Sequence, residues 1–293
     1  MYETENPCTL MNIGVKILPT VCVPLRNVLE SFNEILSRLL TLTRFVLGSW
    51  HQCIFVKVYD NRKNTIFQRW RYIRKRKIKK FDIIKEKFYK LIANCYSNST
   101  TRLIKEKKLN EAIDWYIESI NADTPEFSII NASICLELLT NVLINQKGVE
   151  YIIDPKVSGN VRPIIKKEMS RILKNNGINS KSKDKVCGKL NELNRITFNE
   201  KIRLLINEYN IDFNIRGKPD YKIIEDIIKI RNTITHQGIY KKSDNNDPEF
   251  LDTYLKLVHL IIRIILSQIG YRDSYGLPLE GEKKIEFNEW KRE

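Results

Sequence analysis

The stretch that decides the fold is Asp220-Tyr-Lys-Ile-Ile-Glu-Asp-Ile-Ile-Lys-Ile-Arg-Asn-Thr-Ile-Thr-His-Gln-Gly238. Its isoleucines recur at the spacing of one broad helix face. Asp220, which follows a proline, can cap the N-terminus of this helix, and Gly238 can end it. The sequence therefore predicts an amphipathic helix over 220–237, whose apolar face must be covered by other helices.

The same helical period continues on both sides of this stretch. Further candidate helices lie at about 82–96, 101–120, 126–146, 163–175, 185–208 and 249–269. The segment 147–162 shows no such period and is predicted to be a loop. Together these segments predict an all-α helical bundle over 81–270, followed by a C-terminal tail over 271–293 that lies on the surface.

A short helix-strand segment is predicted at the start of the chain. Apolar residues at helical spacing occupy 23–50, and the β-branched and aromatic stretch Cys53–Tyr59 is typical of a strand. Residues 62–80 then contain ten lysines and arginines and no acidic residue. We therefore divide the remaining chain into an N-terminal segment, 1–61, and a basic linker, 62–80.

The charge of the chain favours a polyanionic partner. Fifty basic and 35 acidic side chains give a net charge of +15, which suits RNA, DNA or an anionic membrane surface. Six single cysteines and three separated histidines offer no metal-ligand spacing, so we expect no metal, no cofactor and a reducing cytoplasm. The acidic start does not fit a signal peptide, and no uninterrupted apolar run suggests a membrane span.

An arginine within the isoleucine face is the most informative feature of the helix over 220–237. Arg231 falls inside that face, whereas Asn232 and His236 lie four residues apart on its edge. A guanidinium stays charged at physiological pH, so in a contact face it needs a compensating partner. The candidate is Glu137, which is the only charged residue between Phe127 and Gln146.

These residue types suit metal-independent cleavage of RNA. A histidine changes its charge near neutral pH, and His236 is placed to accept the proton of a ribose 2′-hydroxyl. Arg231 offers paired donors to the phosphate oxygens as charge builds in the transition state. Asn232 is then available to orient the phosphate or the imidazole. We predict Arg231, Asn232 and His236 as catalytic residues, with Glu137 in a supporting role.

The sequence here resembles the HEPN superfamily. Arg231-Asn232-Thr-Ile-Thr-His236 is similar to the HEPN signature, in which a polar residue follows the arginine and a histidine follows after four to six residues. The upstream stretch Phe-Ser-Ile-Ile-Asn-Ala-Ser-Ile-Cys-Leu-Glu137-Leu-Leu resembles the first core helix of Apea-like HEPN proteins. The resemblance covers roughly 81–270.

The resemblance implies a helical bundle that dimerises so that two Arg–His motifs form one cleft. It also implies an endoribonuclease that leaves a 2′,3′-cyclic phosphate, with a role in toxin–antitoxin systems or anti-phage defence. Apea-like proteins often carry a β-rich domain upstream, of which 1–61 is expected to be a remnant, and sensing would then fall to another protein. Some HEPN toxins have a tyrosine two residues after the histidine, where this chain has Gly238.

Other interpretations remain open from the sequence. Arg231 and His236 could be a helix-end ion pair with a surface histidine, and the domain could be a non-catalytic module or a dimeric scaffold. Arg44 and His51 match the spacing by chance, and His259 on an apolar helix indicates a core or interface residue. The basic run either contacts RNA or is a solvated linker. Its candidate RNA-binding residues are Arg69, Trp70, Arg71, Arg74, Lys75, Arg76 and Lys77.

Overall fold

A computed structural model describes residues 25–48, 55–59, 65–70, 94–211, 220–238, 248–271, 275–276 and 284–285. Within these ranges the helices are α1 (Leu25–Leu47), α2 (Thr101–Glu106), α3 (Leu109–Ile120), α4 (Pro125–Lys147), α5 (Pro155–Asn175), α6 (Ser180–Gly188), α7 (Phe198–Glu208), α8 (Asp220–Gln237) and α9 (Pro248–Gln268). A single 3-10 turn, Lys189–Asn191, follows α6. The strands are β1 (Phe55–Tyr59), β2 (Thr65–Trp70), β3 (Tyr275–Gly276) and β4 (Lys284–Ile285).

Helix α4 lies at the centre of the bundle, in contact with α3, α7, α8 and α9. Thr124 caps its N-terminus and Gly148, at a φ of 66°, ends it. The core includes Ile129, Leu136 and Leu139 from α4 and continues into α9, where Leu257 and Ile262 are fully buried. The predicted all-α helical bundle is confirmed.

Three predicted boundaries differ from the structure. The predicted helix 101–120 is two helices, since the backbone turns left-handed at Lys108, where φ is 49°. The predicted helix 185–208 is also broken, because α6 ends at Gly188 and a capping box formed by Thr197 and Glu200 starts α7 afresh. The predicted loop 147–162 was partly wrong, since Asp154 caps α5 and Pro155 occupies its first turn.

Helix α5, α6 and the 3-10 turn form an arm, defined here as residues 151–195. These elements contact one another, and no residue of α5 is buried. The two ends of the arm are joined by a bridge between Tyr151 and Arg195 and by a hydrogen bond from the amide of Ile152 to the carbonyl of Asn194. The arm is thus attached to the bundle at its base while most of its length faces solvent.

The N-terminal segment contributes to the bundle through α1. Leu42, Phe45 and Val46 are buried in the common core, and Arg44 forms an ion pair with Asp114 of α3. Burial lowers the pKa of Arg44 to about 10. Arg44 therefore has a structural role in this helix contact, which agrees with dismissing its match to His51, a residue outside the described ranges.

Strands β1 and β2 pair antiparallel, with Phe55 opposite Trp70 and Val58 opposite Phe67. The strand predicted at Cys53–Tyr59 corresponds to β1, whereas β2 lies inside the segment predicted to be a linker. Part of that basic run is thus paired strand rather than linker. The division at 61 and 80, like the limits of the helical domain and the tail, stays a prediction.

One described helix, α4, is long and apolar enough to cross a membrane by length and composition. In the structure, 56% of the most apolar 18-residue stretch of this helix is buried within the protein. Its apolarity is accounted for by its central position in the bundle, because a helix surrounded by other helices is apolar nearly all round. The described residues therefore give no strong indication of a membrane span.

Candidate active site

Arg231 lies on α8 between the buried isoleucines Ile230 and Ile234, and its side chain is 32% exposed. One guanidinium nitrogen, Nη2, donates to Oε2 of Glu137 on α4 at 3.1 Å. The other, Nη1, donates to Oδ1 of Asn232 at 3.2 Å. The predicted contact between Arg231 and Glu137 is present, and the guanidinium is held from two sides.

His236 stands apart from this contact. It is exposed near the C-terminal end of α8, five residues beyond Arg231, which corresponds to about 7.5 Å along the helix axis and about 140° around it. Asn232 is four residues before His236 and therefore lies on its side of the helix, next to Arg231. Within one chain Arg231 and His236 therefore lie on different faces of α8, and Asn232 lies between them.

Helix α7 adds two residues that were not predicted from the sequence. The ring of Phe198 lies beneath the guanidinium of Arg231, 5.8 Å from ring centroid to Cζ. Lys201, one turn further along α7, donates from Nζ to Oδ1 of Asn141 at 2.9 Å. Asn141 is one turn beyond Glu137 on α4. The two cations are therefore held by successive turns of the same helix.

A local signal for α7 was available in the sequence. Thr197-Phe-Asn-Glu200 is a capping box in which the threonine accepts from the Glu200 amide, and the Glu200 carboxylate accepts from the Thr197 amide at 2.6 Å. These hydrogen bonds lower the pKa of the Glu200 carboxyl. The capping box fixes where α7 begins and hence which residues face α4. The contacts of Phe198 and Lys201 themselves depend on tertiary packing.

The site is a positively charged surface around a single carboxylate. Arg231 and Lys201 supply two cations, Glu137 supplies one negative charge, and two asparagine amides lie between them. The guanidinium and the ammonium are held at residues one turn apart on α4, and both groups suit contacts with the phosphate oxygens of a nucleic acid. The arrangement can bind phosphate, stabilise charge on it and move a proton at the exposed imidazole of His236.

Other nucleophiles and ligand clusters do not compete with this site among the described residues. Burial raises the pKa of the Cys95 thiol to about 12 and that of Cys135 further, so neither thiol supplies a thiolate. His259 is 1% exposed on α9, in agreement with the prediction of a core residue. No group of three potential metal ligands occurs within the described ranges.

The candidate RNA-binding residues of the basic run fall largely outside the described part of the chain. Arg69 and Trp70 belong to β2, although their side chains lie outside what the structure describes. The predicted contacts of Arg71, Arg74, Lys75, Arg76 and Lys77 also lie outside the described residues. Their role in RNA binding stays a prediction.

Comparison with known proteins defines the class. A model of the Apea-like HEPN family matches residues 130–275, about half of the chain, from within α4 to the strand β3. No curated protein and no solved structure shows a significant match to the chain.

The chain belongs to the Apea-like HEPN family. This places it among nucleotide-related or RNase-like modules built on a helical domain. The matched region contains Glu137, Lys201, Arg231 and His236, so the surface described above lies within the HEPN domain.

Proposed function

We propose that this protein is a metal-independent endoribonuclease that acts in a toxin or anti-phage defence system in the cytoplasm. The observation that carries the proposal is the half-buried Arg231, oriented by Glu137, with the exposed His236 further along the same helix. The match of residues 130–275 to the Apea-like HEPN family and the basic character of the chain support an RNA substrate. The three cysteines among the described residues are free and buried, which is in keeping with a reducing compartment.

The proposed reaction is an internal transesterification. His236 takes the proton of the 2′-hydroxyl, the 2′-oxygen bonds to the phosphorus, and the bond from phosphorus to the 5′-oxygen breaks. Arg231 and Lys201 stabilise the added charge on the phosphate oxygens. The leaving 5′-oxygen takes up a proton, and the products are a 2′,3′-cyclic phosphate and a 5′-hydroxyl end.

A homodimer completes the proposed site. In one chain Arg231 and His236 are about 140° apart around α8, so they do not converge on one phosphate from a single copy. Two copies that bring their α8 edges together would place each His236 beside the Arg231 of the other. The second imidazole, in its protonated form, would then donate to the leaving oxygen.

The experiment incubates purified protein with total RNA in EDTA and compares it with Arg231→Ala and His236→Ala. We expect cleavage by the wild type, loss of at least 100-fold in either variant, and cyclic phosphate ends by mass spectrometry. Lys222→Ala is the matched control, since Lys222 is an exposed cation near the N-terminal end of α8, about 21 Å along the helix axis from His236. This variant should cleave RNA at the wild-type rate. Equal cleavage by all four proteins would disprove the assignment.

A non-catalytic HEPN module that binds nucleic acid or a partner protein is the second candidate. It is favoured by one observation, namely that both terminal nitrogens of Arg231 already donate within the protein. Under this alternative the wild type would retain labelled RNA or a partner without producing new ends. The Arg231→Ala variant would then bind more weakly, and neither the wild type nor the variant would cleave RNA.

A further inference from the structure

The arm, residues 151–195, carries most of the exposed apolar surface of the described protein. Of the seventeen large apolar side chains that are exposed in the described ranges, eleven lie within the arm. Ile164 is 69% exposed and Leu193 is 68% exposed. Scattered exposed apolar residues are ordinary, but a concentration of this kind marks an interaction surface.

Five of these side chains form one stripe along α5. At 100° per residue they fall within an arc of about 100° on the face opposite Lys166. The members of this stripe are Val157, Val161, Ile164, Ile165 and Ile172. The stripe is about 22 Å long, which corresponds to about four turns of a helix laid against it.

Helix α5 has little support of its own. None of its residues is buried, and it contains Gly159 and an internal proline, Pro163. Glycine and proline are the two weakest helix formers, and proline also removes a backbone hydrogen bond. The partly buried residues Met169 and Leu173 face the rest of the arm, so the stripe is left uncovered by the part of the chain that the structure describes.

The charge of the arm indicates what covers it. Residues 151–195 contain eleven lysines and arginines and four acidic residues. Lys156, Lys167 and Lys174 form a row beside the apolar stripe, because they fall within about 20° of one another around α5. A partner that buries the stripe must therefore present acidic groups along its edge.

We propose that the stripe binds an acidic amphipathic helix of about four turns from a partner protein. A second copy is disfavoured because two arms of net charge +7 would be brought together. A membrane is disfavoured because the stripe consists of valine and isoleucine, without the aromatic or leucine side chains typical of interfacial helices. RNA would leave the isoleucines uncovered.

The test uses the full-length protein and a labelled 16-residue synthetic peptide with leucines on one helix face and glutamates beside them. Fluorescence anisotropy should show at least tenfold tighter binding than for a scrambled peptide of the same composition. Ile164→Gln with Ile172→Gln should weaken binding at least tenfold, whereas Leu251→Gln, at a site 51% exposed on α9, should not. Hydrogen exchange of the α5 amides should slow when the peptide is bound.

Two further measurements test the electrostatic contribution to peptide binding and the other possible ligands of the stripe. Glutamine at Lys156, Lys167 and Lys174 should weaken binding several-fold and reduce its salt dependence, unlike glutamine at Lys181, Lys183 and Lys185 of α6. Unchanged peptide binding by the double isoleucine variant would overturn the proposal. So would stripe-dependent binding to phosphatidylglycerol vesicles, or stripe-dependent self-association in sedimentation, in the absence of peptide binding.

Discussion

Arg231 donates to Glu137 at 3.1 Å although 94 positions of the chain separate the two residues. The two side chains are 32% and 43% exposed, so solvent screens the ion pair. Its importance is therefore more geometric than energetic. Glu137 and the ring of Phe198 restrict the guanidinium to one direction, while Asn232 connects it to the edge that carries His236.

Replacing Glu137 by glutamine should affect activity more than stability. We expect Glu137→Gln to lower the free energy of unfolding by less than about 1 kcal/mol, since the pair is partly exposed. RNA cleavage should fall about tenfold, because the loosened guanidinium is no longer held against the phosphate. The measurements are urea unfolding and initial cleavage rates.

The matched control for this variant is Glu208→Gln. Glu208 pairs with Lys147 and joins α7 to α4, just as the Glu137–Arg231 pair joins α8 to α4, and the two pairs have similar exposure. It should reproduce the small change in stability and leave cleavage unchanged. A similar loss of cleavage in both variants would show that Glu137 has no special role in orienting Arg231.

The contact between α4 and α8 could be inferred from the sequence because each helix is unusual in one position. An arginine in an isoleucine face and a single carboxylate in an apolar helix leave few alternatives for pairing. Lys201 offered no such signal, since a lysine on an amphipathic helix is ordinarily a solvated residue. Only the packing of α7 against α4 gives it the contact with Asn141.

The first two turns of α5 were missed for a different reason. The stretch Val157-Ser-Gly-Asn160 contains poor helix formers. In addition, the apolar residues of α5 that recur at helical spacing lie on a face that packs against no other described residue. Periodicity predicts helices whose apolar face meets a core. Here the capping residue Asp154 and the following proline were the better guide to where the helix begins.

Lys201 should contribute to RNA binding as a second phosphate contact. Lys201→Ala is expected to weaken RNA binding and to reduce the slope of log K against log salt concentration by about 0.7, the value for one phosphate of a single strand. Binding is measured with catalytically silent His236→Ala protein between 50 and 200 mM salt, ~10-fold changes in affinity being easily resolved. Arg203→Ala removes the same charge from the outer face of α7, where Arg203 donates to Asn199. Equal effects of the two substitutions would mean that only overall charge matters.

His259 should make the protein less stable in mild acid. Its imidazole is buried on α9, and both this burial and the charge of Arg263 hold its pKa well below the usual value of 6.5. The unfolded chain therefore binds the proton first, so the contribution to stability is present above about pH 6.5 and is lost as the pH falls. The expected loss is about 1.4 kcal/mol per pH unit below that value.

The measurement is urea unfolding at pH 7.5, 6.5 and 5.5 for the wild type and for His259→Gln. Glutamine keeps a polar group in the core but does not titrate, so its unfolding free energy should change less between pH 6.5 and 5.5. A variant that loses as much stability as the wild type over this interval would place the acid sensitivity elsewhere.

Substitutions in the basic run over 62–80 test whether this segment contacts RNA or is a solvated linker. Neutralising Arg74, Lys75, Arg76 and Lys77 to alanine removes four charges from a segment that contains ten. If these side chains contact phosphates, RNA affinity should fall and the salt slope should decrease by about 3. Arg231, Lys201 and His236 remain in place, so cleavage at saturating RNA should stay near the wild-type rate while the RNA concentration for half-maximal rate rises. An unchanged salt slope would remove the segment from the RNA-binding surface, and a loss of rate at saturation would assign it to the catalytic step instead.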